Sequence, residues 1–178
     1  EYLKVGDNFS PEVGFIQRDD FKRSFASLRF SPRPKDFLGV RKFTWQGDLE
    51  HIESGAGALE TRVHVGKFTT EFNTSDTINI EATRDYEMIT QPFQVATGVS
   101  IAPGGYSFDD LQVSYTFGAQ RRLAGTFGAQ VGEFWNGTIR SLSFTGGRVA
   151  VLKQFSVEPT IQRSSVELPA GNFTTTLV

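Results

Sequence analysis

The sequence predicts an all-β fold: a long antiparallel meander of about eight or nine strands, forming an outer-membrane-type β-barrel or part of one, or alternatively a β-sandwich. Three observations predict it. Apolar and polar residues alternate with period two over long stretches. Clusters of turn residues break the alternation at regular intervals. No run approaches the ~18 apolar residues of a transmembrane helix.

The strands follow in order. In Asp20–Phe30 the apolar face is Ala26, Leu28 and Phe30, and in Lys42–His51 it is Phe43, Trp45 and Leu49. Leu59–Phe72 changes parity near Gly66, which predicts a β-bulge there. Thr77–Met88 shows the pattern best. Ile78, Ile80, Ala82, Tyr86 and Met88 share one face, with Arg84 the exception, while Thr77, Asn79, Glu81, Thr83, Asp85 and Glu87 share the other. A helix would mix these two sets. Phe108–Phe117 sets Leu111, Val113, Tyr115 and Phe117 against Asp110, Gln112, Ser114 and Thr116. Arg122–Trp135 carries Leu123, Phe127, Ala129, Val131 and Trp135 on its apolar face. Thr138–Val151 changes parity at Gly146-Gly147, a second predicted bulge. Phe155–Leu168 sets Phe155, Val157, Pro159 and Ile161 against Ser156, Glu158, Thr160, Gln162 and Ser164, and a ninth strand starts beyond it. Strands of about 10–14 residues exceed the usual length of about 5–6. They reach the roughly 9–11 residues that a tilted strand needs to cross a bilayer.

The connections fall into two classes. Tight ones are Asn73-Thr74-Ser75-Asp76, Gly118-Ala119-Gln120-Arg121 and Lys153-Gln154, with the Pro-bearing Ser31–Arg41 link in the corresponding place. At the other end come the longer links Ile52–Ala58, Ile89–Ser107 and the segment after Leu168. The exception there is Trp135-Asn136-Gly137-Thr138, whose Asn-Gly pair predicts a type I′ turn. Short turns at one end and longer loops at the other match the layout of outer-membrane barrels. Phe30, Phe43, Phe72, Phe117 and Phe155 near the tight-turn end, and Tyr86, Phe108 and Trp135 near the other, predict two aromatic girdles.

Composition excludes several functions. A net charge of −2 supplies no basic field for nucleic acid. With no cysteine there is no disulfide framework, thiolate metal site or cysteine nucleophile. The chain starts at Glu1 and stops at Thr174-Thr175-Thr176-Leu177-Val178 inside a predicted strand, which reads as a segment of a longer protein.

Several stretches carry a resemblance. They are Asn8-Phe9-Ser10-Pro11-Glu12-Val13-Gly14-Phe15, Arg29-Phe30-Ser31-Pro32-Arg33-Pro34, Gly104-Gly105-Tyr106-Ser107-Phe108-Asp109-Asp110, Val113-Ser114-Tyr115-Thr116-Phe117-Gly118, and Gly147-Arg148-Val149 followed by Phe155-Ser156-Val157-Glu158-Pro159. In register over the whole chain, they resemble a bacterial family of unknown function. Its members carry a carbohydrate-binding-like module, similar to family 9, ahead of a long outer-membrane-barrel-like region. The resemblance implies that this chain lies within the barrel-like region, with the sugar-binding-like module upstream and further strands beyond. It carries over no catalytic residue.

Candidate chemistry is sparse. The doublets Asp19-Asp20 and Asp109-Asp110 put adjacent carboxylates on opposite faces of a strand, unlike the facing pair that glycoside hydrolysis uses. His51 and His64 near the ends of consecutive strands can approach across a hairpin, but no third zinc ligand accompanies them. Neither a G-x-S-x-G elbow nor a phosphate loop is present. Asn8, Asn73, Asn136 and Asn172 each begin an N-x-Ser/Thr triplet, read here as polar loop residues. The candidate ligand-binding residues are the charges predicted to face a barrel interior: Arg23 and Arg29 on one strand, and Glu81, Asp85 and Glu87 on another. They either select a polar solute or fill a narrow barrel with ion pairs. The expectation is a non-catalytic outer-membrane barrel segment with no cofactor, whose partners are membrane lipid and a glycan or small polar solute. Ile78, Ile80, Val113, Tyr115, Phe127 and Ile161 would face lipid; Glu81, Gln112, Gln130 and Glu158 would line the interior. The alternative is a soluble β-sandwich that binds or hydrolyses polysaccharide through the loops Ile52–Ala58 and Ile89–Ser107.

Overall fold

Period-two alternation at this length dictates extended chain, and the computed structural model contains strands throughout. It describes residues 1–8, 20–152 and 155–178, with the backbone alone over 150–152. Most of the Asn8–Phe15 stretch, Asp19 and the Lys153-Gln154 turn lie outside the described residues. The strands are β1 (Tyr2–Val5), β2 (Phe21–Phe30), β3 (Val40–Ser54), β4 (Leu59–Phe72), β5 (Thr77–Ile89), β6 (Phe93–Ala96), β7 (Val99–Ile101), β8 (Gly104–Phe117), β9 (Leu123–Phe134), β10 (Gly137–Leu152), β11 (Phe155–Val157), β12 (Ile161–Leu168) and β13 (Gly171–Leu177).

One antiparallel meander takes them in the order β1-β2-β3-β4-β5-β8-β9-β10-β12-β13, with β11 also paired to β10 and β6–β7 forming a separate hairpin. Among the described residues the meander is not closed: β1 and β13 are its two edges. All eight predicted strands are present, and the ninth is β13. The eighth is split because Pro159, between β11 and β12, has no N–H to give the ladder. The strand β1 and the hairpin β6–β7 carry too little alternation to be read beforehand.

Three expectations are corrected. At Gly66 there is no bulge: Gln46↔Lys67, Gly47↔Gly66 and Asp48↔Val65 pair without a break. Instead the strand keeps its register and its apolar residues change face, from Val63 and Val65 on one to Phe68 on the other. The bulge at Gly146-Gly147 does form, with a register shift between Thr145 and Arg148 and Gly146 at φ +59°, where a side chain would be strained. The β9–β10 turn is centred on Trp135-Asn136, one residue earlier than expected. Only Trp135 has positive φ, at 51°, which is the type II′ pattern. Finally, the long and short loops do not alternate. Gly55–Ala58 is short because β3 runs on to Ser54, and Pro169-Ala170 because β13 starts at Gly171, whereas the link between β5 and β8 at that end is long and carries the β6–β7 hairpin.

At the tight-turn end Asp76, 3% exposed, ties two turns together. Its carboxylate accepts from the Arg121 guanidinium, the Gly118 N–H (2.8 Å) and the Thr74 hydroxyl (3.0 Å). The arginine and the amide donor hold this carboxyl far below the ordinary aspartate range.

Candidate functional site

Register assigns every side chain to one of two faces. On the first, the aligned row Phe30, Trp45, Phe68, Ile80, Val113, Ala129 and Leu142 runs across seven strands. Rings stack along it and beside it, with Trp45 5.9 Å from Phe30 and 5.1 Å from Phe68, and Phe127 4.5 Å from Phe144. Among the described residues this apolar surface stays open: Leu28 is 82% exposed, Leu142 70%, Val131 53% and Phe127 49%. No second sheet stacks on Ile80, Val113 and Phe127 among the described residues.

The second face is polar at the same level. It carries Asn79 and Glu81 on β5, Gln112 and Ser114 on β8, Gln130 on β9, Ser141 and Ser143 on β10, and Gln162 on β12. A cavity of ≈180 Å³ is lined by Asn79, Gln112, Gln130, Ser141, Ser143 and Gln162 together. On a flat sheet β5 and β12 stand four spacings, or ~19 Å, apart. A cavity this small touches both because the sheet curls toward its polar side. The polar face is therefore concave and the apolar face convex.

The apolar surface ends along a line of charge. Two rows further on the convex face, past Ala82, Leu111 and Val131, lie His64, Arg84, Asp109 and Glu133. Arg84, out of place in the sequence pattern, stands directly opposite Asp109 and grips it with two bonds of 2.8 and 2.7 Å. Asp110 points the other way, accepting from Gln130 at 2.7 Å and Gln112 at 3.2 Å. The doublet divides between the faces, as alternation requires. His51 and His64 are diagonal neighbours across β3–β4 on the convex face, where His51 meets Glu53 at 3.0 Å. Among the described residues no three His, Asp or Glu side chains gather to hold a metal.

Beyond this line the two faces exchange character. The convex face turns polar, with Thr138, Glu167 and Asn172 continuing the line itself and Ser24, His51 and Arg62 in the row past it. The concave face turns apolar. The β6–β7 hairpin folds over it, burying Val99 and Ile101 against Val166 and Leu168, with Phe134, Ile139 and Phe173 around them. Trp135 packs against this cluster, 4.5 Å from Phe134 and 5.6 Å from Phe93, and Phe108 lies beside it, its ring 5.8 Å from Trp135. The expected second girdle is thus reduced to Tyr86, which stays on the convex face beside Arg62.

The five candidate charges all face the concave side, in two separate places. Arg23 binds Glu50 and lies 3.5 Å from Glu1, and Arg29 donates to the Ser31 hydroxyl at 3.2 Å. Glu81 pairs with Lys67 at 3.0 Å. Two strands, β3 and β4, separate the arginines from the acids, so no Arg–Glu array forms between the two rows. Asp85 lies past the charge line, outside the apolar band. Burial, reinforced by Asp110, Glu87 and Asp109, pushes its carboxyl up to about 6. The sequence pattern missed the partners Glu50, Lys67 and Asp110, because strand register alone brings them into place.

No family model, no curated protein and no solved structure matches this chain.

Proposed function

We propose that this chain forms part of the wall of an outer-membrane β-barrel, non-catalytic in itself. In this reading the convex face lies against lipid and the concave face lines an interior that binds or passes a small polar solute or a glycan. The observation that carries the reading is the exchange of polarity at the Arg84–Asp109 line. A strand that ran through a single soluble core would keep its apolar side on one face. Here the side that is apolar over Leu123–Val131 gives way to Glu133 and then Thr138 across the turn. That is what a strand needs when it leaves hydrocarbon and enters water, where its folded end must make a dry core of its own. The apolar run Leu123–Val131 rises ~30 Å at ~3.4 Å per residue. Tilted by ~40°, it stands ~23 Å high, close to the ~25 Å apolar band of such barrels.

Expression in a Gram-negative host with a secretion leader tests this. The expected result is retention in the outer-membrane fraction and faster gel migration without boiling than after it. A monodisperse, detergent-free protein would overturn the reading. If that soluble protein also bound polysaccharide, the sandwich alternative would take its place.

A further inference from the structure

Followed across the concave face, one row of side chains loses its charge between β5 and β8. It reads Arg29, Gln46, Lys67 and Glu81 over β2–β5, then Gln112, Gln130, Ser141 and Ser164 over β8–β12. The row on its tight-turn side, Asn79, Ser114, Gly128, Ser143 and Gln162, carries no charge over β5–β12. Side chains of these two rows line the ≈180 Å³ cavity, and among the described residues no ionisable group lines it. The charged groups that register places beside it are engaged elsewhere. Glu81 pairs with Lys67 at 3.0 Å, and Asp110 takes the amides of Gln112 and Gln130.

Those bonds decide what the cavity offers. A carboxylate only accepts, so Gln112 and Gln130 turn their NH2 groups to Asp110, at 3.2 and 2.7 Å, and their carbonyl oxygens are left as acceptors. Asn79 takes the Thr69 hydroxyl on its oxygen at 2.8 Å and keeps its NH2 as a donor. Ser114, Ser143 and Gln162 have no side-chain partner among the described residues and are able to donate and accept. Donors and acceptors around an uncharged space match groups that do both at once, as alcohol hydroxyls do. An ion would give up its water here with no counter-charge in return. At ~30 Å³ per water the cavity holds the volume of about six molecules, room for one sugar ring.

We propose that this cavity binds a neutral polyhydroxylated solute, one monosaccharide-sized ring, and discriminates against charged rings of the same size. This rests on the reading that the concave face lines a solute-binding interior. The test is saturation-transfer NMR on the purified protein, in detergent or in water as it fractionates, with glucose, protonated glucosamine and glucuronate as probes. Glucose is expected to bind, and the two charged rings to bind about ten-fold more weakly or worse, because their charge is desolvated without a partner. Gln162→Leu removes an exposed amide that no protein group uses. It should weaken glucose about ten-fold, the equivalent of one hydrogen bond. Ser143→Leu, which puts a bulky apolar side chain into the cavity, should abolish binding. Gly47→Val on the convex face should leave it unchanged. Denaturation midpoints show that each variant is folded. No glucose binding by the wild type, equal binding of the three rings, or unchanged binding in Gln162→Leu would each overturn the site. Membrane retention and heat-modifiable migration are read on the same preparations. Retention in the membrane without glucose binding removes the site alone. Glucose binding by a detergent-free protein, lost in Gln162→Leu, keeps the site and removes the wall.

Discussion

Two single residues show most directly what the faces demand. Gly47 and Gly66 stand opposite each other in mid-strand on the convex face. Neither has a positive φ, and a Cβ at Gly47 would meet nothing within 4 Å. Neither backbone conformation nor crowding therefore calls for glycine at 47. Gly47→Val should stabilise the sheet by about 1 kcal/mol, because a β-branched side chain replaces a flexible residue in open space. A chemical-denaturation midpoint would read this. Asp85 gives a pH signature. Its folded carboxyl titrates near 6, against ~4 in the unfolded chain, so between these values the folded state holds more proton. Stability should accordingly fall as pH rises from about 4 to about 6. Asp85→Asn should remove that slope and add about 1 kcal/mol at pH 7, a figure reduced for solvent screening of a partly exposed group. Unfolding midpoints measured across pH 4–7 in both proteins would decide it.

Among the elements, the β6–β7 hairpin is the one whose role follows from packing alone. Its sequence is short and weakly patterned, yet Ile101 is 1% exposed and sits at the centre of the best-packed cluster. The hairpin emerges between β5 and β8 and lies against residues of β12, so it braces strands far apart in the meander. Ile101→Ala should cost about 2–5 kcal/mol, the usual range for truncating a buried isoleucine. Hydrogen exchange should show the loss concentrated in β6, β7 and β12, with β3 and β4 little affected. Uniform loss across the sheet would mean that the hairpin is no separate brace. The Asp76 clasp does comparable work at the opposite end, where it joins the β4–β5 and β8–β9 turns.

For the molecule as a whole, the question is what meets the convex face. In water an exposed Val113→Arg change should be nearly neutral, within about 0.5 kcal/mol. Against hydrocarbon the same change should cost about 2–4 kcal/mol near mid-bilayer. Folding equilibria of V113R measured in phospholipid vesicles should therefore show the larger cost, and a neutral result there would remove lipid from the convex face. The open edges bear on the same point. Among the described residues β1 and β13 each present an unpaired ladder, which further strands or another sheet edge can take up.

Much of this was legible in the residues. Ile78, Ile80 and Ala82 against Asn79, Glu81 and Thr83 fix both the strand and its two faces, because side-chain direction alternates whatever the neighbours are. For that reason Arg23, Arg29, Glu81, Asp85 and Glu87 could be assigned to one face from sequence alone. Their partners could not be assigned in the same way. Whether Glu81 meets Arg29 or Lys67 depends on strand order and register, which are set between segments far apart in sequence. The same holds for Arg84, which looked misplaced until Asp109 stood opposite it, and for Trp135, whose side chain turned inward under the hairpin. The alternation of single strands determined an all-β meander with one greasy and one polar side. Only the tertiary structure decided which way the sheet curls and where its faces exchange polarity, because curvature and register belong to many strands at once.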